Sequence, residues 1–201
     1  YNVALFYYAG HGHQVNGVNY LIPVDATIEN KDMVAFEAIS VNDISSKFEE
    51  YNQNINILIL DACRNNPFRS WARGGERGFK AINPASGTII AFATSEGSTA
   101  ADGTGINGLF TEQLVKQLKK PVPIEKVFKL TRVEVEKVSN GQQSPQEWSK
   151  LKGDFYFTGL ENSNQNQNTN SSDVVFNPGN VEIEYGSVSI DSEISGDLYL
   201  D

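Results

Sequence analysis

The sequence predicts an α/β sandwich with a mostly parallel central sheet. Three apolar runs, over residues 3–8, 57–60 and 87–94, have the pattern of short strands that are buried on both faces. Segments with apolar residues at helical spacing lie between and after these runs. Strands that alternate with amphipathic helices are typical of a sheet covered by helices.

The helices are predicted from apolar spacing. Asn42 is expected to cap a helix that carries Ile44, Phe48 and Tyr51 on one face. That helix would join the first two strands by a right-handed crossover, which makes them parallel. Two more helices are predicted over 109–119 and 124–138. The second has an apolar stripe that we expect to be buried: Ile124, Val127, Phe128, Thr131, Val135 and Val138.

The remaining segments give weaker patterns. Residues 17–26 predict a short strand or hairpin arm that Pro23 ends, residues 27–40 a loop, and residues 154–158 a last strand. The formal net charge is −9 without a basic stripe, so nucleic acid is not an expected partner. A single cysteine excludes an intrachain disulfide and a cysteine-rich metal site, and no apolar run is long enough to span a membrane.

Two residues whose side chains can take part in catalysis come shortly after predicted strands. Cys63 follows the run at 57–60, and His11 follows the run at 3–8 with a glycine on each side, where a tight turn would leave room for a substrate. Ligands bind at the carboxyl ends of parallel strands, so neighbouring strands would bring this thiol and imidazole together. The alternative is that Cys63 is a small buried apolar residue, a common role for a lone cysteine.

Five segments carry a resemblance to a known family: YYAGHG at 7–12, NYLIPVDA at 19–26, LDACRNNPF at 60–68, IIAFATSEG at 89–97 and GDFYF at 153–157. Over about residues 1–158 the chain resembles the caspase-like cysteine peptidases, and within them the bacterial metacaspase-like branch. In that family a Cys in an Ala-Cys-Arg context has its His about 50 residues upstream. The resemblance implies a caspase-like α/β/α sandwich. It also implies two earlier strands and a helix that this chain would lack.

The resemblance implies a cysteine endopeptidase with a Cys-His dyad. Cys63 would be the nucleophile, His11 the base, and the backbone N–H groups of Gly12 and Cys63 the oxyanion hole. His13 is expected to face solvent or to line the cleft. The alternative function, from a different class, is a non-catalytic caspase-like scaffold or recognition module.

Asp61 is the strongest candidate for substrate recognition. It lies two residues before Cys63, and alternation along a strand puts both residues on one face. Its charge would suit a substrate Arg or Lys, and metacaspases, which this segment resembles, cut after basic residues. The alternative is a structural carboxylate that accepts hydrogen bonds from a loop. Ser95 and Asp102 follow the next strand and are expected to line the cleft, or else to belong to a surface turn.

Arg73 and Arg77, each followed by glycine, lie in a long basic loop between two predicted strands. Caspase-like enzymes commonly have a cleavable connector there, so both arginines are candidate autocleavage sites; the alternative is a solvated basic loop. No cofactor or metal site is predicted. The acidic residues Asp25, Glu29 and Asp32 are scattered and do not support the calcium dependence that is frequent among metacaspases.

The predicted domain organisation has three parts. Residues 1–160 form the caspase-like peptidase domain, 161–178 an Asn-, Ser- and Gln-rich linker, and 179–201 the start of a small β-rich domain that resembles PEGA-type modules. Because the chain begins and ends within predicted strands, we expect it to be a fragment with an open sheet edge beside residues 3–8. The sequence does not indicate a cellular compartment.

Overall fold

A computed structural model describes residues 3–50, 55–63, 79–95, 107–158 and 174–175. Its helices and strands, in chain order, have these bounds: β1 Val3–Val15, β2 Val18–Leu21, α1 Val34–Glu37, β3 Ile39–Ser40, α2 Val41–Glu50, β4 Ile55–Cys63, β5 Thr88–Phe92, α3 Leu109–Leu118, α4 Ile124–Val138, β6 Gln146–Ser149, β7 Phe155–Tyr156 and β8 Val174–Val175.

Six strands form one mixed sheet in the order β3-β2-β1-β4-β5-β6. The three strands predicted from apolar runs, β1, β4 and β5, lie side by side and are parallel. The flanking strands β2, β3 and β6 pair antiparallel. The predicted α/β architecture is therefore confirmed, and its parallel part is the centre of a mixed sheet.

Strand β4 is the middle of the core. Ile57 and Ile59 pack into an apolar cluster with α3 and α4, whereas Leu58 and Leu60 pack on the opposite face with α2. All four side chains are buried, so the continuous apolar run marks a strand covered on both faces. Because both faces of β4 are packed, the position of the residues at its carboxyl end is fixed.

The helices occur where apolar spacing predicts them, with two corrections. Val138 is 54 % exposed, since it is the last residue of α4 and lies beyond the packed stripe. The residue that caps α2 is Ser40, whose hydroxyl oxygen accepts a hydrogen bond from the backbone N–H of Asp43, at an N···O distance of 3.4 Å. Asn42 lies inside the helix.

The strand that carries His11 is longer than predicted. It runs parallel to β4 as far as His11 and then antiparallel to β2 from Gly12 to Val15. The chain returns through Asn16 and Gly17, whose φ angles of 51° and 81° are those of a tight two-residue hairpin turn. His11 therefore belongs to an extended strand and not to a turn after it.

Several short elements are absent from the sequence-based prediction. The predicted loop over 27–40 contains a 3-10 turn at Lys31–Met33, the single-turn helix α1 and strand β3. Strand β6 pairs with β5 at the sheet edge.

Strand β7, predicted over 154–158, pairs with β8 in a separate two-stranded sheet. The start of the small domain predicted over 179–201 lies outside the described residues.

His13 is buried, contrary to the expectation that it faces solvent or lines the cleft. Only 6 % of its surface is exposed, because β1 places it opposite Tyr20 of β2 inside the hairpin. Burial, and secondarily the positive charge of Lys31, lower the pKa of His13 below its ordinary value.

We therefore expect acid to lower the stability of the fold through protonation of His13. With a lowered pKa in the folded state, the unfolded chain binds more protons, so the free energy of unfolding falls as pH drops below about 6.5. Urea unfolding at pH 7 and pH 5 should show a larger loss for the wild type than for His13→Gln, which cannot titrate there. Equal losses in the two proteins would contradict this role of His13.

Candidate active site

The register of β1 and β4 places His11 beside Cys63. These two residues form the last pair of the parallel ladder, at the carboxyl ends of both strands. Neighbouring strands lie about 4.8 Å apart, so the two backbones are adjacent at the edge where parallel sheets bind ligands. Cys63 is described by its backbone position alone, while His11 is exposed at this edge.

The backbone of His11 is held from two directions. Its carbonyl oxygen accepts a hydrogen bond from the N–H of Ile22 at 2.9 Å and another from the hydroxyl of Tyr8 at 2.8 Å. The Tyr8 hydroxyl also lies 2.8 Å from the carbonyl oxygen of Ile22. Burial raises the pKa of Tyr8 to about 12, which keeps its hydroxyl protonated as the donor.

Gly12 presents its N–H toward the side on which β4 ends. The carbonyl of His11 faces β2, where it accepts from Ile22, and the peptide bond to Gly12 is trans. In a planar trans peptide the N–H points opposite to the preceding carbonyl. The N–H of Gly12 therefore points away from β2 and toward the Cys63 side.

Gly12 is required for close packing and not for a turn. A Cβ atom at this position would lie 2.1 Å from a ring carbon of Phe79. The Phe79 ring is fully buried and meets Phe92 edge-on, with 5.9 Å between the ring centroids. The neighbouring Lys80 is fixed by Asn19, which donates to its carbonyl at 2.7 Å and accepts from its N–H at 2.8 Å.

Asp61 is a half-buried carboxylate on β4 that faces the start of α3. The hydroxyl of Thr111 donates to Oδ2 of Asp61 at 2.5 Å, and the hydroxyl of Tyr7 lies 2.7 Å from the same threonine oxygen. A Cβ atom at Gly108, the residue before α3, would come within 3.2 Å of Oδ2. The carboxylate thus lies against the helix start, two residues before Cys63.

A family comparison identifies the domain. The family model of the caspase domain matches residues 1–156. The chain belongs to the caspase family. The match confirms the predicted family and its α/β fold, and it indicates that the domain is that of a cysteine peptidase with protein substrates. A search of curated proteins found no match to the chain.

Ser95 has a partner inside the caspase domain. Its hydroxyl donates to the carbonyl of Ser144 at 2.8 Å, and the adjacent Gln143 donates its side-chain amide to the carbonyl of Ala93 at 2.8 Å. The loop between α4 and β6 therefore fixes the chain where it leaves β5. Contact between Ser95 and substrate stays a prediction.

Other candidates lie outside the described residues: Asp102, Arg73 and Arg77. Within the described ranges no group of three His, Cys, Asp or Glu residues is arranged to hold a metal ion, and this includes Asp25, Glu29 and Asp32. None of the helices in those same ranges has the length and apolarity to cross a bilayer.

Sequence reasoning missed the residues that support this site. Tyr8, Phe79 and Thr111 act on the His11 carbonyl, Gly12 and Asp61 respectively. Tyr8 belongs to the YYAGHG segment, which marks it as close to His11 in the chain. Phe79 and Thr111 are distant in sequence from the residues they contact, so no local pattern indicates either contact.

Proposed function

We propose that this caspase domain is an endopeptidase in which Cys63 is the nucleophile and His11 the general base. The observation that supports this assignment is the parallel register, which pairs the two residues at the carboxyl ends of adjacent strands. His11 is exposed there and can meet a substrate, while two hydrogen bonds hold its carbonyl.

The chemistry is acyl transfer to sulfur. An imidazolium beside a thiol favours the thiolate, which attacks the peptide carbonyl carbon. The new S–C bond gives a tetrahedral oxyanion, and its collapse breaks the C–N bond while the imidazolium gives its proton to the leaving amine. Water then attacks the thioester carbonyl while the imidazole takes its proton. The C–S bond breaks, the carboxylic acid product leaves, and the imidazolium returns the proton to the sulfur.

Gly12 suits the oxyanion hole because of where its N–H points. The N–H of Gly12 points to the Cys63 side, and the packing of Phe79 against Gly12 keeps this peptide in place. Preorganised donors of this kind stabilise developing charge without reorganisation during the reaction. The N–H of Cys63 is the second donor that we propose.

Replacing either dyad residue tests the proposal. In the full-length protein Cys63→Ala and His11→Ala should each lower kcat by at least about a thousandfold, because the two residues act as a unit. Hydrolysis of peptide reporters gives the rate, and thermal unfolding shows whether each variant remains folded. Thiol-independent cleavage would refute the nucleophile. A folded wild type that cleaves no peptide would favour the non-catalytic scaffold.

We further propose that Asp61 recognises Arg or Lys before the cleaved bond. A half-buried carboxylate two residues from the proposed nucleophile has a negative charge close to the reacting carbonyl, and this charge would attract a substrate cation. An Asp reporter would place two like charges together.

A panel of Arg, Lys and Asp reporters, with and without calcium, measures this preference. Asp61→Asn should reduce kcat/KM on the Arg reporter roughly a hundredfold, in line with the loss of a buried charged hydrogen bond. The rate at which iodoacetamide alkylates Cys63 should change little. Equal losses in both measurements would place Asp61 in the chemistry or the fold.

Self-processing is the third part of the proposal. In the sequence, Arg77 precedes Phe79 by two residues, and Phe79 packs against Gly12 while Lys80 is held by Asn19. A tethered segment has an effective concentration of roughly millimolar, so cleavage after Arg77 or Arg73 would not require high affinity.

Mass spectrometry of the purified full-length protein tests self-processing. The wild type should contain a cut after Arg73 or Arg77 that Cys63→Ala lacks, and Arg73→Gln and Arg77→Gln, made separately, identify the bond. Intact wild type that still hydrolyses Arg reporters would show that activity does not require processing, and the connector would then be a solvated basic loop.

A further inference from the structure

A chain of hydrogen bonds from three elements ends on the Asp61 carboxylate. Thr111 of α3 contacts Oδ2 of Asp61 on β4 at 2.5 Å, and Tyr7 of β1 contacts the Thr111 hydroxyl at 2.7 Å. A carboxylate only accepts hydrogen bonds. The Thr111 hydrogen therefore goes to Asp61, and the Tyr7 hydroxyl must donate to Thr111.

The hydroxyl of Tyr7 remains a hydrogen-bond donor at neutral pH. Burial raises the pKa of its phenol, opposed by the hydrogen bond with Thr111 and supported by the negative charge of Asp61. The direction of the chain, from Tyr7 through Thr111 to Asp61, is thus kept across the neutral pH range. Successive hydrogen bonds of this kind polarise one another in partly buried surroundings.

Backbone geometry places the three residues together. Tyr7 and Asp61 lie on adjacent strands, two pairs apart in the ladder, since Tyr7 pairs with Ile59 and Ala9 with Asp61. Thr111 reaches both from the first turn of α3. Gly108 lets that turn approach, because a Cβ there would already be tight against the carboxylate at 3.2 Å.

We propose that Thr111, supported by Tyr7, is a positioning residue for substrate selectivity: it holds the Asp61 carboxylate in the orientation that receives the cationic group of a substrate Arg or Lys. This inference rests on the proposed role of Asp61. A charge held in one orientation loses little conformational freedom when substrate binds, and it favours the cation without reorganisation. Loss of this hydrogen bond would remove one restraint on the carboxylate and make its orientation toward the substrate less defined.

Matched reporters isolate the electrostatic part of selectivity. One peptide carries Arg before the cleaved bond and the other citrulline, which has nearly the same shape without the charge. The ratio of kcat/KM for the two is measured in full-length wild type, Thr111→Val, Thr111→Ser and Tyr7→Phe. Thr131→Val is the control, since it removes from α4 a buried hydroxyl that donates only to the carbonyl of Val127 in the residues described.

Thr111→Val should reduce the Arg-to-citrulline ratio by roughly tenfold and Tyr7→Phe by about threefold, as expected for hydrogen bonds to a charged and to a neutral acceptor. Thr111→Ser should restore most of the ratio, and Thr131→Val should leave it unchanged. The alkylation rate of Cys63 should be the same in all of these proteins. If Thr111→Val does not fold, Tyr7→Phe and Thr111→Ser still give the comparison.

Other outcomes overturn the inference and separate it from the proposed function. A Thr111→Val protein that loses activity equally on both reporters would show a purely structural tie between α3 and β4. A folded Thr111→Val protein with the wild-type ratio would refute the positioning role and leave recognition by Asp61 intact. A wild type without preference for Arg over citrulline would remove the basic-residue pocket itself, and this inference with it.

Discussion

The parallel pairing of β1 with β4 is the constraint on which the site depends. A slip of one residue would separate His11 from Cys63 and reverse the faces of β4 relative to β1. Apolar burial alone resists such a slip weakly, because β4 is apolar on both faces. Polar contacts supply the specificity. The Tyr7–Thr111–Asp61 chain closes only in this register. The register of β4 with β5 has a polar contact of its own, between the buried Asn56 and the Thr88 hydroxyl at 3.4 Å.

The two glycines beside His11 have a packing role. A Cβ atom at Gly10 would lie 2.7 Å from the Tyr8 hydroxyl, and one at Gly12 would lie 2.1 Å from the Phe79 ring. Each glycine admits an aromatic residue that packs against the strand, so the strand stays extended and well supported. A functional group on a supported strand keeps its position better than one on a loop, which suits the role of general base proposed for His11.

The elements that local patterns specify were predictable. Apolar runs give β1, β4 and β5, and the amphipathic spacing of α3 and α4 gives helices whose bounds agree to within one residue. Strand β6, with the sequence QEWS, has no apolar alternation, and its pairing with β5 becomes visible only in three dimensions. The Asn16-Gly17 turn, by contrast, carried a hairpin signal from which the extension of β1 was predictable.

The residues of the site fall into the same two groups: those that local sequence patterns indicate and those that they do not. His11, Cys63 and Asp61 are recognisable because each comes at the end of an apolar run and within a segment that resembles the caspase family. Their supporting residues are not recognisable, since Thr111 lies 50 residues from Asp61 in the chain and contacts it only after α3 has packed on the sheet. The burial of His13 is likewise a consequence of the β1–β2 hairpin and not of its immediate neighbours.

Asp61 can have a structural role and a role in substrate recognition at the same time. A carboxylate has about four lone-pair positions, so a hydrogen bond from Thr111 and the recognition of a cation are compatible uses of one side chain. A neutral Asn at this position would accept the same hydrogen bond at a smaller desolvation cost. The hydrogen bond to α3 is therefore compatible with a second use of this carboxylate beside Cys63. In the proposed function that use is the recognition of a substrate cation, which would help to align the substrate with Cys63.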